Sequence, residues 1–243
     1  MDTDRTIRLW SLVVAHAAGG PVAVEHVCAV AISTCGVDSA AVAVKLPATP
    51  RETVYASDQG ASEVEELSLT LGEGPGVDAF AGSPALVPDL RAPDCLARWP
   101  AFARAAGQAG MRAVFALPLQ VGGIRVGVMD LYRLRPGALD REQLADALTL
   151  ADTACALLLD VSGPDRSHPD GRRPEPVGPQ HPEVHQATGM ISVQLGVTAA
   201  VALIRLRAYA YSHDLRLHDV AADVVARRLR LRPNGDDGGR GGR

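Results

Sequence analysis

The sequence predicts two unequal domains: an α+β domain in which helices flank an antiparallel sheet, then a small all-α domain of three helices. Three observations carry this reading. The 243 residues exceed the roughly 100 to 200 of a usual single domain. The stretch Ser162 to Gln180, SGPDRSHPDGRRPEPVGPQ, holds five prolines and three glycines without apolar periodicity, the composition of a solvated linker. Charge changes sign across it: residues 1–162 carry 12 basic and 19 acidic side chains, whereas residues 181–232 carry seven arginines against four acids. The expected division is an N-terminal domain over 1–161, a linker over 162–180, a basic three-helix domain over 181–232 and a disordered tail over 233–243.

Composition narrows the classes. With 47% hydrophobic and 21% charged residues the chain can bury a real core, and with 4% aromatics that core is built from alanine, valine and leucine. No apolar run reaches the roughly 18 to 20 residues of a membrane span, and the opening MDTDRTIR lacks a signal-peptide pattern, so no membrane and a cytoplasmic location are expected. Cys28, Cys35, Cys95 and Cys155 show no CxxC pairing and no zinc-ligand rhythm, which predicts reduced, mostly buried thiols and no metal.

In the N-terminal domain, Thr6 to Ala18 and Val22 to Thr34 repeat apolar residues at three- and four-residue spacing, predicting two opening helices with Gly36 as the stop. Ser39 to Leu46 and Glu52 to Ala56 read as a strand pair, and Ala61 to Leu71 as a helix that ends in the turn LGEGPG, Leu71 to Gly76. Ala85 to Val87, Ala113 to Gln120 and Arg125 to Tyr132 are further strands, the last two joined through Gly122 and Gly123 in a tight hairpin. A helix over Asp140 to Asp160 closes the domain. Helices are expected over one face of the sheet.

Converging catalytic groups are not legible: the chain has no HExxH, GxSxG, glycine-lysine phosphate loop or dinucleotide fingerprint. The expectation is a domain that is not an enzyme and holds no cofactor. The order of elements, with LGEGPG, RWPAF at Arg98 to Phe102, LPL at Leu117 to Leu119 and the hairpin GGIRVGVMDLY, resembles a GAF domain of bacterial sensor-regulator proteins. That resemblance implies a pocket for an unknown small molecule. The asparagine-lysine, phenylalanine, aspartate-glutamate signature of cyclic-nucleotide relatives cannot be assembled here, nor is any cysteine beside a histidine as bilin-binding relatives need. Trp99, Phe102, Phe115 and Met129 are the candidate pocket walls.

Val184 to Leu195, Thr198 to His213 and Leu217 to Leu231 read as three helices. Gly196 ends the first and Thr198 caps the second. On the second, Ala202, Leu206, Tyr209, Ala210 and His213 make the expected core stripe, leaving Ile204, Arg207 and Tyr211 outside, with Arg207 and Tyr211 projecting together toward solvent. On the third, Leu217, Val220, Val224 and Leu231 face the core, with Arg227 and Arg228 at its edges. Arginine pairs with phosphate or stacks on a base, and a tyrosine ring is a platform for an unstacked nucleotide. A solvated arginine face, with Tyr211 against a partner subunit, remains the plainer physical reading.

The strings HQATGMISVQLGVT, Ala202 with LIRLRAYAY, and LHDVAADVV resemble an ANTAR domain. Gln186, Ala187, Gly189, Ala202, Leu206, Arg207, Ala210, Leu217, Val220 and Ala221 fall on its motif, most as packing positions. The resemblance implies a transcription antiterminator, often dimeric, that holds hairpin loops of nascent RNA. Arg205, Arg207, Tyr211, Arg216, Arg227 and Arg228 are the candidate RNA contacts, being basic or aromatic and not needed by the core. Thr188 stands where the family often has a basic residue on the presumed binding surface. The alternative is a DNA-binding regulator, since the second and third helices also resemble a helix-turn-helix.

Overall fold

The computed structural model describes residues 3–45, 51–161 and 182–232; the expected linker and tail lie outside them. Five strands, β1 (Ser39–Val44), β2 (Glu52–Ala56), β3 (Ala85–Val87), β4 (Ala113–Val121) and β5 (Ile124–Arg133), form one antiparallel sheet in the order β2-β1-β5-β4-β3. Long apolar runs such as Ala113 to Leu117 are buried throughout, which requires cover on both faces rather than the single face expected.

One cover is α1 (Thr3–His16), α2 (Val24–Cys35) and α7 (Arg141–Val161), over a core of Val27, Val42, Phe115, Leu117, Met129 and Leu150. Gly36 ends α2 in the left-handed region at φ 63°. Cys28 and Cys35 lie in this core as free thiols, and burial pushes them up to about 12 and about 11.

The other cover is α3 (Gln59–Leu71), α4 (Pro75–Ala81), α5 (Pro93–Arg98) and α6 (Pro100–Gln108). Each of the last three opens on proline at its first or second position, where the missing N–H costs nothing. The segment LGEGPG turns α3 into α4 and does more than turn. The Glu73 carboxylate accepts from the backbone N–H groups of Ala101 and Phe102, 2.8 Å each, so it caps α6 across the turn. Gly74 holds φ 130°, and a Cβ there would stand 3.0–3.1 Å from the Phe102 ring. Gly74→Ala is therefore expected to cost on the order of 1 to 3 kcal/mol, read as a fall of several degrees in the melting of the N-terminal domain.

The C-terminal domain is α8 (Pro182–Leu195), α9 (Ala199–Ser212) and α10 (Leu217–Val225). Thr198 caps α9 by accepting from Val201 N–H at 3.3 Å, and Ala202, Leu206, Ala210, Leu217, Val220, Val224 and Leu231 form the expected core. Two expectations on these helices are corrected. His213 is exposed, stacked on Tyr209 with ring centroids 4.0 Å apart, because the helix ends there. The third helix stops at Val225 rather than Leu231: Arg227 adopts φ 58°, and the Arg228 and Leu229 N–H groups turn back to the Asp223 carbonyl.

Candidate nucleic-acid interface

The C-terminal half of α3 carries a side chain that its own domain does not bury. Leu69, 6% exposed, belongs to the apolar core of the C-terminal domain. Polar contacts surround it. Arg207 Nε donates to the Leu69 carbonyl at 2.9 Å, and Leu217 N–H donates to Thr70 Oγ1 at 3.3 Å. His218 Nδ1 meets Glu66 at 3.2 Å, and His185 Nε2 meets Glu52 at the start of β2. Gly72 leaves room for the guanidinium: a Cβ there would lie 2.7 Å from Arg207 Nη1. The two domains are thus docked along α3.

Docking corrects the expectation that Arg207 and Tyr211 project together into solvent. Arg207 is half-buried against α3, and burial, followed by repulsion from Arg51, lowers its pKa below the ordinary arginine value. Tyr211 stays 64% exposed. It borders a cleft of about 330 Å³ between the domains, opposite Arg104 and Gln108 of α6. Helical periodicity placed Arg207 outside the core of its own domain correctly; which neighbour would cover that side has no local signal.

The remaining candidates are dispersed. Arg216 is exposed at the N-cap of α10, and Arg205 donates to the Arg232 carbonyl at 3.2 Å. Arg228 pairs with Asp223 at 2.7 Å. Arg227 lines an open groove of about 580 Å³ between α8 and the end of α10, with Arg230, Val193 and Met190. Thr188 is not on a surface: it is buried, its hydroxyl donating to the Val184 carbonyl at 2.6 Å.

The four candidate pocket walls do not meet. Phe115 and Met129 face the α2 and α7 side of the sheet, while Trp99 and Phe102 pack on the α3 and α6 side. The sheet itself lies between them: Phe115 of β4 and Met129 of β5 point to one face, while Trp99 and Phe102 belong to the helical cover of the other. Trp99 is 3% exposed, packed in one apolar cluster with Phe102, with Nε1 donating to Asp78 at 3.2 Å. Residues the sequence did not single out form the docking surface instead: Glu52, Glu66, Leu69 and Thr70 with His185 and His218. Among the described residues, no cluster of three or more His, Cys, Asp or Glu side chains is placed to hold a metal ion, and no single helix is long and apolar enough to cross a membrane.

Comparison with known proteins agrees with this architecture. A GAF domain model matches residues 22–158, more than half of the chain, and an ANTAR domain model matches residues 180–225. The N-terminal fold is similar to the GAF domain of an Acinetobacter phosphoenolpyruvate-protein phosphotransferase, at 12% identity and TM-score 0.51 over 69% of this chain and 98% of that one. It is also similar to the corresponding domain from Coxiella burnetii, at 15% identity and TM-score 0.50 over 67% and 97%. At such identities the likeness is of fold alone. No curated protein matches the chain. The chain belongs to the GAF domain family and carries an ANTAR domain at its C-terminal end.

Proposed function

We propose that this protein is a transcription antitermination regulator whose ANTAR domain binds hairpin loops of nascent RNA, and whose GAF domain, sensing a small molecule or a partner, controls access to that domain. The observation that carries the reading is the position of Arg207. A guanidinium suited to phosphate or a base is held instead by the Leu69 carbonyl of the sensor domain, beside an exposed tyrosine ring. RNA and α3 then compete for one side of α9. A sensor shifts such an equilibrium only through the difference in its ligand's affinity for the docked and undocked states. The reading includes a homodimer, supported by exposed Ile7, Trp10 and Val14 along α1 and Leu148 on the neighbouring α7.

A helix-turn-helix reading of α9 and α10 is less well supported. Leu217, at the start of α10, is buried, and His218 beside it meets Glu66, so the end that would enter a major groove faces the GAF domain. Binding of the full chain to a two-hairpin RNA and to a DNA duplex of equal length, at one fixed salt concentration, separates the readings. Preference for RNA that falls by about tenfold or more in Tyr211→Ala and in Arg207→Ala is the expected result, since stacking contributes about 1 to 3 kcal/mol per base and tenfold is about 1.4 kcal/mol. Equal affinity for both nucleic acids, or none, overturns it.

A further inference from the structure

Inside the GAF domain, two carboxylates share one guanidinium. Arg51, just ahead of β2, places Nη2 2.6 Å from Glu65 Oε2 and Nη1 3.3 Å from Asp130 Oδ2. Tyr132 OH donates to Glu65 Oε1 at 2.5 Å. The side chains of Glu65 and Asp130 are only 1% and 2% exposed, so neither carboxyl group is left to water. Asp130 Oδ1 is buried and no N–H donor reaches it, while the carboxyl group as a whole lies against that of Glu65. Burial, then the neighbouring Glu65, pushes the Asp130 carboxyl well above the usual carboxylate range. Both Asp130 oxygens and Arg51 Nη1 converge on Gly76 at the start of α4; a Cβ there would meet Asp130 Oδ2 at 2.8 Å and Oδ1 at 2.9 Å.

We propose that Glu65, Asp130 and Tyr132 form a receptor for a small organic cation with a guanidinium or amidinium head, in which Arg51 is the resident occupant. The chemistry follows from the donors and acceptors. A guanidinium offers five N–H groups in one plane, matched to paired carboxylates. Arg51 reaches Asp130 from one side and leaves Oδ1 without an N–H donor, whereas an untethered guanidinium can centre itself between the two acids. Arg51 enters from beside an edge strand, so its withdrawal breaks no pairing in the middle of the sheet.

The site also lies on the element that holds the ANTAR domain. Helix α3 supplies Glu65 to it and, within the next turn and a half, Glu66, Leu69 and Thr70 to the docking surface. Arg51 is near enough to Arg207 to repel it. Exchange of Arg51 for a ligand would therefore act directly on the docked interface. This inference rests on the GAF domain being the sensor, and its test contains no RNA, so its failure leaves the RNA reading standing.

The test is thermal unfolding of full-length Arg51→Ala with methylguanidinium at millimolar, non-denaturing concentrations. The variant is expected to melt below wild type and to be restored by methylguanidinium in a saturable way. Tetramethylammonium, a cation without N–H donors, should not restore it, and Arg51→Ala/Asp130→Asn should weaken the apparent affinity by about tenfold or more. In the wild-type chain with 15N-arginine, methylguanidinium should shift the Arg51 Nε–Hε resonance, a readout that holds even if the variant does not fold. The proposal is overturned by rescue that both cations give equally, by no rescue in a folded variant, or by an Arg51 resonance that does not respond. All arms are run at one fixed pH, because Asp130, already raised and without Arg51 raised further, takes up a proton as pH falls and steadies the variant by itself.

Discussion

Leu206→Ala is expected to melt the C-terminal domain at temperatures where the GAF domain stays folded, and to remove RNA binding with it. Leu206 is fully buried at the centre of α9, between Ala202 and Ala210. Truncating such a leucine typically costs about 2 to 5 kcal/mol. The domain is far smaller than the roughly 70 to 80 residues below which one core rarely supplies more than about 3 to 5 kcal/mol. The loss is therefore comparable with the whole stability of the domain. Calorimetry should show the transition of the smaller domain lost or shifted below room temperature, with that of the GAF domain unchanged. Val201→Ala, on the exposed side of the same helix, is the control and should change little.

The second large effect has the opposite sign. Leu69→Ala should raise RNA affinity, because it weakens the docking surface without changing a residue of α9. Leu69 is buried as a member of the apolar core of the ANTAR domain, and burial of a leucine contributes about 1.5 to 3 kcal/mol. Truncation to alanine removes that apolar contact and brings in no group that Arg207 could pair with, which shifts docking by about tenfold, at 1.4 kcal/mol per factor of ten. Where only the undocked fraction binds, apparent affinity rises with that fraction. Fluorescence anisotropy with a two-hairpin RNA should show this gain, and Arg207→Ala in the same background should cancel it. An unchanged or weaker affinity, with both domains folded, would mean that α3 does not compete with RNA.

Much of the fold was legible because its long elements bury one stripe or one run. Val24–Cys35, Glu52–Ala56, Ala85–Val87 and the hairpin at Gly122 and Gly123 were placed within a residue or two by periodicity and turn chemistry. Helices α4, α5 and α6 were not. They are short, and Pro75, Pro93 and Pro100 mark helix starts with the residue that more often signals a turn. Missing them left one face of the sheet uncovered and let Phe115 and Trp99 be assigned to one pocket. The end of α10 was overrun because an arginine, not a glycine, takes the left-handed position at Arg227.

The candidate site was legible only in part, for a different reason. Periodicity reports which side of a helix faces its own core, and it separated Arg207 from Leu206 correctly. It carries no information about a second domain arriving on the outer side. Leu69 could have raised suspicion, as a leucine on the side of α3 that the GAF sheet does not need, but a single exposed leucine is ordinary. The buried charges were hidden for the same reason: Arg51, Glu65 and Asp130 come from three separate elements, and only the tertiary fold gathers them.

The most direct test of the account is amide hydrogen exchange of the full wild-type chain with and without a saturating two-hairpin RNA. Exchange reports local opening, so it separates what is covered from what is released. RNA is expected to slow exchange along Leu203 to Tyr211 of α9 and, at the same time, to speed it at Leu69 to Gly72 and at Leu217, whose N–H is bonded to Thr70. Slower exchange on α9 with no release at the end of α3, or RNA binding that protects neither, would contradict the claim that nascent RNA and the sensor domain compete for the same side of that helix.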